Sequence, residues 1–304
     1  MDKVCILLST FNGKQYLKEQ LDSLINQINV DIFILARDDG SSDGTIEILK
    51  EYSAKYDFFT FYQGDNVKPA RSFLDLMKSA PQADFYAFSD QDDVWDDDKL
   101  SVAVNMLKKE NGANPNMYYS NLRIVDEHLN YYRLSHQTPH IQKNRYSPLV
   151  EDFATGCTIV FNKAALDYAK KANCEYCSMH DSWMYMICNF FGKIIYDFDA
   201  HISYRQHGNN VVGTYLQKRT ISLYWKRFKR LFNRKLQPRY NNAISFYAAF
   251  KDFLQPTDKE KIEKIVNYKR SRKDKKALLK DKDICGSSKG KNFRYRMLVR
   301  LGIV

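Results

Sequence analysis

Three carboxylates fall within four residues in the stretch Ser89-Asp90-Gln91-Asp92-Asp93. They follow the apolar run Phe85-Tyr86-Ala87-Phe88, which has the character of a short buried strand. A strand that delivers carboxylates at its end cannot leave them desolvated and unpaired, because a buried anion without a partner is strongly disfavoured. A cation must meet them. Hard oxygen ligands of this kind suit Mg²⁺ or Mn²⁺, ions that bridge carboxylates to substrate phosphates, and Asp90 and Asp92 are the candidate ligands. A plainer role exists beside this one. Asp96, Asp97 and Asp98 precede Lys99-Leu100, and Asp is a good helix N-cap. The two roles are compatible, with Asp96–Asp98 opening a helix while Asp90 and Asp92 face a site.

A second acidic pair stands at Asp38-Asp39-Gly40-Ser41, after the apolar run Ile32–Ala36. Such a pair can accept hydrogen bonds from the ring N–H of a base or from ribose hydroxyls. Asp, Gly and Ser also favour turns. Asp43-Gly44-Thr45 already supplies a turn and a cap, however, which leaves Asp38 and Asp39 without an evident structural task and favours ligand binding.

The elements that would position these clusters alternate. Val4–Leu8 is a strand ending in Ser9-Thr10-Phe11-Asn12-Gly13, and Tyr16, Leu17, Leu21, Leu24, Ile25 and Ile28 recur at helical spacing after it. Ile46, Leu49 and Tyr52 share one helical face, Phe58–Tyr62 is a third strand, and a helix over Ser72–Ser79 leads into the strand before the acidic cluster. This β-α-β-α-β-α-β order predicts an α/β fold with a mainly parallel sheet and helices on both faces. Ligands bind such sheets beyond the carboxyl ends of the strands, where Ser9–Asn12, Asp38-Asp39, Asn66 and Asp90–Asp92 all lie. Farther on, Tyr118–Ser120, Thr158–Phe161 and Ile194–Phe198 suggest strands and Met184–Phe191 a buried helix. No internal repeat or low-complexity linker is evident.

The 304 residues, 44% hydrophobic and 14% aromatic, describe a globular chain with room for one large domain or two smaller ones. The first apolar run is too short for a signal peptide, and no stretch reaches the ~20 apolar residues of a membrane span, so the expected location is the cytosol. Six scattered cysteines fit a reduced compartment. The pair Cys174 and Cys177 has C-x-x-C spacing but no second pair to complete a zinc site, and is expected to be structural. The net charge of +11 is uneven: residues 216–304 hold 26 Lys and Arg against 7 Asp and Glu, the remainder 21 against 29. The chain thus combines an acidic body with a basic tail.

Taken together, Leu8-Ser9-Thr10-Phe11-Asn12-Gly13, Arg37-Asp38-Asp39-Gly40-Ser41-Ser42-Asp43-Gly44-Thr45 and Ser89-Asp90-Gln91-Asp92-Asp93-Val94-Trp95 resemble the inverting family 2 glycosyltransferases in order and spacing. The resemblance covers about residues 1–215 and implies a GT-A fold, a Rossmann-like domain for nucleotide-diphospho-sugars. It implies that Thr10 and Asn12 lie beside the nucleotide, that Asp38 or Asp39 contacts the base, and that Arg71, after Asn66, lies near the diphosphate or ribose. Asp90 and Asp92 resemble the family's DXD pair, which holds Mg²⁺ or Mn²⁺ on the diphosphate. The wording of these motifs, with Tyr204-Arg205-Gln206-His207-Gly208-Asn209-Asn210-Val211-Val212-Gly213, is most similar to the rhamnosyltransferase branch and leans towards dTDP-L-rhamnose as donor, with a UDP-hexose as the alternative.

An inverting transfer needs one base to deprotonate the acceptor hydroxyl and a positive group to stabilise the leaving phosphate. The base should come from a segment later than residue 92. The family places an Asp or Glu before an aromatic, and Asp181 before Trp183 matches, which implies that Trp183 lies on the acceptor side; the plainer role for Asp181 is a helix N-cap with Trp183 in the core. His180 beside it has the character of an exposed, solvated histidine. Glu151-Asp152 is the second candidate base, preceding Phe153-Ala154-Thr155-Gly156-Cys157, where the family places an acceptor-side loop that includes Gly156. His207 is either a metal or diphosphate ligand or a satisfied loop histidine. Trp95 either stacks on the acceptor sugar or packs in the core.

In the tail, Ile221, Tyr224, Trp225, Phe228, Leu231 and Phe232 recur at helical spacing among Lys and Arg. An amphipathic helix of this kind suits an anionic bilayer surface, and packing on the catalytic domain is the alternative. No zinc finger, RRM or helix-turn-helix pattern supports nucleic-acid binding. The combined expectation is a metal-dependent inverting glycosyltransferase over 1–215 and a basic helical region over 216–304, acting on a lipid-linked saccharide at the inner face of the membrane. A sugar-nucleotide-forming nucleotidyltransferase would want a basic Gly-rich loop after the first strand, which Ser9–Gly13 lacks. A non-catalytic nucleotide- or nucleic-acid-binding protein is the remaining rival.

Overall fold

A computed structural model describes residues 1–171, 178–208 and 237–304. The Cys174/Cys177 pair, Asn209–Gly213 and the amphipathic segment 220–236 lie outside the described residues. Two compact units form. The first contains Met1–Pro139, Ala154–Lys170 and residues 179–208; the second contains His140–Phe153, Lys171, Ser178 and residues 237–304.

The first unit begins with the expected alternation: β1 Lys3–Thr10, α1 Leu17–Ile25, β2 Asp31–Asp38, α2 Thr45–Lys55, β3 Phe59–Gln63, α3 Pro69–Ser79 and β4 Phe85–Ser89. It continues with β5 Val94–Trp95, α4 Lys99–Leu107, β6 Asn116–Val125, β7 Tyr131–Leu134, β8 Ile159–Asn162, α5 Lys163–Lys171, α6 His180–Phe191 and β9 Lys193–Arg205. The strands build one sheet in the order β3-β2-β1-β4-β8-β6-β9-β5, with β7 on β6. β1 to β4 pair in parallel. Beyond β4 the expectation of a mainly parallel sheet fails: β8 runs antiparallel to both β4 and β6, and β5 antiparallel to β9. The sheet is therefore mixed. Hydrophobic alternation identifies a strand but not the direction of its neighbour.

Alternate strand residues point to opposite faces, and both faces are covered. Val4, Ile6 and Leu8 of β1 join a core with Leu17, Leu21 and Leu24 of α1, Ile48 and Leu49 of α2, and Leu100 and Val104 of α4. On the opposite face Phe73 of α3 packs edge-on to Phe88 of β4. The parallel register sets Thr10 opposite Asp38, so the polar ends of β1 and β2 coincide. Asp98 occupies the N-cap position of α4, as expected, but its side chain makes no capping hydrogen bond.

The second unit is largely helical, with α7 Pro238–Phe250, α8 Pro256–Asn267, α9 Arg272–Lys280 and α10 Lys289–Leu301. Ion pairs tie it together: Arg145 to Asp258 at 2.9 Å, and Lys261 and Lys264 to the buried carboxylate of Asp281 at 2.8 and 3.0 Å. Four cysteines among the described residues are free thiols, all buried. No helix among the described residues is long and apolar enough to cross a membrane.

His180 departs from expectation in a way that can be measured. Its ring is buried, stacked on Phe73 at 3.8 Å and edge-on to Phe88 at 4.6 Å, with neither ring nitrogen hydrogen-bonded among the described residues. Burial pushes its pKa down to about 3. The unfolded chain takes up a proton near pH 6.5 whereas the folded chain stays neutral, so the His180 contribution is complete above that pH and is lost as pH falls towards 3. The expected loss is about 2 kcal/mol at pH 5, from ~1.4 kcal/mol per pH unit. Urea unfolding at pH 7 and pH 5 should show a smaller drop in His180→Phe than in the parent. An equal drop in both would contradict a buried neutral imidazole.

Candidate active site

The acidic loop after β4 is held from several sides. Ser89 closes the strand, its hydroxyl accepting from Gln20 Nε2 at 2.8 Å. The Gln91 carboxamide clasps the loop after β1, accepting from Phe11 N at 2.8 Å and donating to Phe11 O at 3.1 Å. Gly13 lies so close that a Cβ there would meet Gln91 Oε1 at 2.3 Å. Gln91 is thus a positioning residue that its place between two carboxylates concealed.

The carboxylates themselves have distinct environments. Asp92 Oδ2 lies 2.7 Å from His207 Nε2, whose ring rests 4.8 Å from Tyr16. Asp93 is fully buried; its Oδ1 accepts from Arg205 N at 3.1 Å, and its pKa is pushed up by burial and by Asp92 and Asp90. Asp90 is pushed up to about 7, by burial first and then by the charges of Asp92 and Asp181. Asp181, from the first turn of α6, therefore stands close enough to Asp90 for their charges to repel. Its Oδ1 accepts from Ser182 N at 2.5 Å, and the cap position itself belongs to Met179 rather than to Asp181. The positive end of the α6 dipole lies beneath this carboxylate.

Two buried basic residues stand beside the acidic loop, and the sequence did not single out either. Arg205, at the end of β9, donates from Nε to Asp92 O at 2.9 Å and from Nη1 to Glu127 O at 2.6 Å, pairs with Glu19, and lies over the Tyr16 ring at 4.6 Å. Lys99, buried in α4, sits 3.5 Å above the Trp95 ring; burial lowers its pKa to about 7, against the opposing pull of the Asp93 and Asp96 carboxylates. Ligand atoms of Asp90, Asp93 and Cys157 lie within 4.8 Å of one another. Burial raises the Cys157 pKa well above that of a free thiol and so keeps it protonated, leaving oxygen and imidazole groups as the metal-binding chemistry. The carboxylates of Asp90 and Asp92 are hard ligands of the kind that suits Mg²⁺ or Mn²⁺, but Asp92 pairs with His207 whereas Asp90 groups with Asp93 and Cys157, so Asp90, Asp92 and His207 are not drawn together as one ligand set among the described residues. Asp93 Oδ2 is buried with no hydrogen bond among the described residues, in keeping with a carboxyl that burial pushes towards its neutral form.

The neighbouring polar loops are more occupied than expected. Asp38 is not idle: it accepts from Thr10 Oγ1 at 2.9 Å, Gly40 N at 3.1 Å, Ser41 N at 2.8 Å and Ser41 Oγ at 2.6 Å. Asp39 pairs with the buried Arg37 and accepts from Val67 N at 3.2 Å. The premise that both lack structural partners is corrected: Asp38 closes the local turn with Gly40 and Ser41 and also takes Thr10 across the β1/β2 register, while Asp39 is held by Arg37 and Val67. Asn12 adopts a left-handed conformation (φ 48°) and accepts from Ser42 N at 2.9 Å, while its own N–H donates to Ser41 Oγ at 2.8 Å. Asn66 and Arg71 are exposed, and the Arg71 guanidinium makes no ion pair among the described residues.

Three other expectations are corrected. Trp95 is 2% exposed and Trp183 0%, so both rings pack in the interior and neither presents a face to an acceptor. Gly156 is buried as well, and a Cβ there would meet His180 Nε2 at 2.6 Å. The second candidate base is occupied within the other unit: Glu151 pairs with Lys291 and accepts from Ser287 N, and Asp152 pairs with Arg239.

A family model described as Glycosyl transferase family 2 matches residues 5–168. The dTDP-rhamnosyl transferase RfbG of Shigella flexneri is 31% identical over 227 residues, covering 68% of this chain and 73% of its own. Among solved structures, residues 1–349 of S. aureus TarS superpose with a TM-score of 0.59 at 16% identity, covering 92% of this chain and 76% of that one. The mannosyltransferase PcManGT from Pyrobaculum calidifontis, in complex with GDP-Man and Mn²⁺, gives 0.53 at 13% identity, over 99% of this chain and 86% of its own. The chain therefore belongs to glycosyl transferase family 2 and is a glycosyltransferase with a GT-A fold.

Proposed function

We propose that residues 1–215 catalyse an inverting, metal-dependent transfer of L-rhamnose from dTDP-L-rhamnose to a lipid-linked saccharide in cell-surface polysaccharide synthesis. The observation that carries this reading is the approach of Asp181, from α6, to Asp90, from the end of β4, beside the Asp92–His207 pair. In this reading Asp181 serves as the base while Asp90 and Asp92 face the leaving diphosphate, the division of labour an inverting transfer requires. The rhamnosyl assignment is supported by the named activity of the Shigella relative. The complex of TarS with UDP-GlcNAc favours a UDP-hexose as the second reading.

In the proposed mechanism Thr10, Asn12, Asp38 and Asp39 shape the nucleotide side of the cleft, with Asn66 and the open Arg71 guanidinium facing the diphosphate. Asp90, Asp92 and His207 would hold Mg²⁺ or Mn²⁺, which when bound supplies Lewis-acid stabilisation of the departing diphosphate. Asp181 accepts the proton of the acceptor hydroxyl as that oxygen attacks the anomeric carbon. Arg205 and Gln91 keep the acidic loop in register with the loop after β1. The basic region 216–304 is assigned to the inner membrane surface, where a lipid-linked acceptor resides. Nucleic acid is not a partner in this scheme.

Calorimetric titration with dTDP, UDP and GDP, each with and without Mn²⁺, tests the donor. Metal-dependent preference for dTDP is expected; preference for UDP would move the donor to a UDP-hexose, and binding of none by folded protein would overturn the site. Asp181→Asn should lower transfer by about 10²–10⁴-fold, the usual contribution of a positioned base, with dTDP affinity nearly unchanged. Undiminished transfer would remove Asp181 from the mechanism.

A further inference from the structure

The second unit contains a cleft of about 650 Å³ lined by Lys269, Arg270, Arg272, Lys275, Leu301 and Gly302, with no carboxylate in its wall. Many cations of this unit are already engaged. Lys261 and Lys264 serve Asp281, Lys291 serves Glu151, Lys275 donates to Arg300 O at 2.7 Å, and Lys269 pairs with Gln237. Arg270 and Arg272 differ: both are exposed and neither guanidinium makes an ion pair among the described residues. They flank Ser271, which caps the nine-residue helix α9 by accepting from Asp274 N at 3.1 Å. Two open guanidiniums at the positive end of a helix form a receptor for a phosphate group.

The cleft adjoins an apolar stripe. Phe293, Met297 and Leu301 recur every fourth residue along α10 and are 67%, 41% and 56% exposed, whereas Tyr295 and Val299 on the other side are buried. At 3.6 residues per turn, Lys289 and Arg300 border this stripe on one flank and Arg294 on the other. Leu301 belongs to both the stripe and the cleft wall. Apolar side chains between rows of cations match the boundary of an anionic bilayer, where the former reach the acyl region and the latter the phosphates.

We infer that α10 and the Arg270/Arg272 cleft form a docking surface for an anionic phospholipid bilayer, with a lipid phosphate in the cleft and Phe293, Met297 and Leu301 at the acyl boundary. This deepens the membrane assignment above and is independent of the segment 220–236. It rests on that reading, but its test uses no donor and reads no transfer, so it can fail while the catalytic assignment stands.

The test is flotation of the full chain with phosphatidylcholine vesicles, with and without a quarter phosphatidylglycerol. Binding only to the anionic vesicles is expected. At about fivefold per cation near the surface, Arg270→Ala with Arg272→Ala should weaken binding roughly 25-fold, and Phe293→Ser should weaken it further. The pair Lys251→Ala with Lys282→Ala removes the same charge away from the cleft and should weaken binding less. Equal weakening by the two pairs would replace the site by diffuse attraction, and unchanged binding in the cleft variant would place attachment elsewhere. Binding of inorganic phosphate without vesicle binding would make the cleft a site for a free anion. Each of these three results would overturn the inference.

Discussion

The first unit is organised around the cost of gathering Asp90, Asp92, Asp93 and Asp181 in one poorly hydrated place. Burial and mutual repulsion both oppose ionisation there, and they raise Asp90 to about 7 and Asp93 above its ordinary range. Such a cluster persists only if the surrounding fold determines it. Arg205 and Lys99 supply that support from β9 and α4, and the Arg205 backbone N–H contributes a further bond. Neither cation cancels the charge. Lys99 is itself destabilised by burial, and Asp93 Oδ2 stays unbonded among the described residues. A cation brought to such carboxyls would favour their ionised forms and so offset the cost of gathering them.

The loops around this centre show a second use of polar side chains. Asp38, Asn12 and Gln91 spend their hydrogen-bonding capacity on neighbouring backbone and hydroxyl groups. Rigid loops reduce the ordering that a nucleotide would otherwise have to impose on binding. Asp38 thus fixes the Gly40-Ser41 turn with both carboxylate oxygens already engaged. Arg71 presents the opposite case, an exposed guanidinium with no internal ion pair among the described residues, suited to a diphosphate.

The legible parts of the sequence were those whose signal is local. Alternating apolar runs located β1 to β4 and their helices, and the placement of Thr10, Asp38 and Asp90 at strand ends followed from that order. Long-range pairing was not legible. The antiparallel insertion of β8, the register that sets Asp38 on Thr10, and the return of Arg205 to Asp92 each join residues far apart in the chain. The burial of His180 was hidden for a related reason. His180, beside Asp181 in a polar stretch, has the local look of a surface residue, and only the packing of α6 against Phe73 and Phe88 encloses it. Trp95 could be read as core or as an acceptor platform, and the pairing of β5 with β9 decides for the core.

The central proposal is that the acidic loop after β4, with Asp90 and with Asp92 beside His207, takes up a divalent cation together with the nucleotide. Electron paramagnetic resonance of Mn²⁺ titrated into the protein with a nucleoside diphosphate tests it without reference to turnover. One tightly bound Mn²⁺ per chain is predicted, with affinity lowered by at least tenfold in Asp92→Asn, as for loss of a direct ligand. Absence of bound Mn²⁺, or an unchanged signal in the variant, would contradict the account.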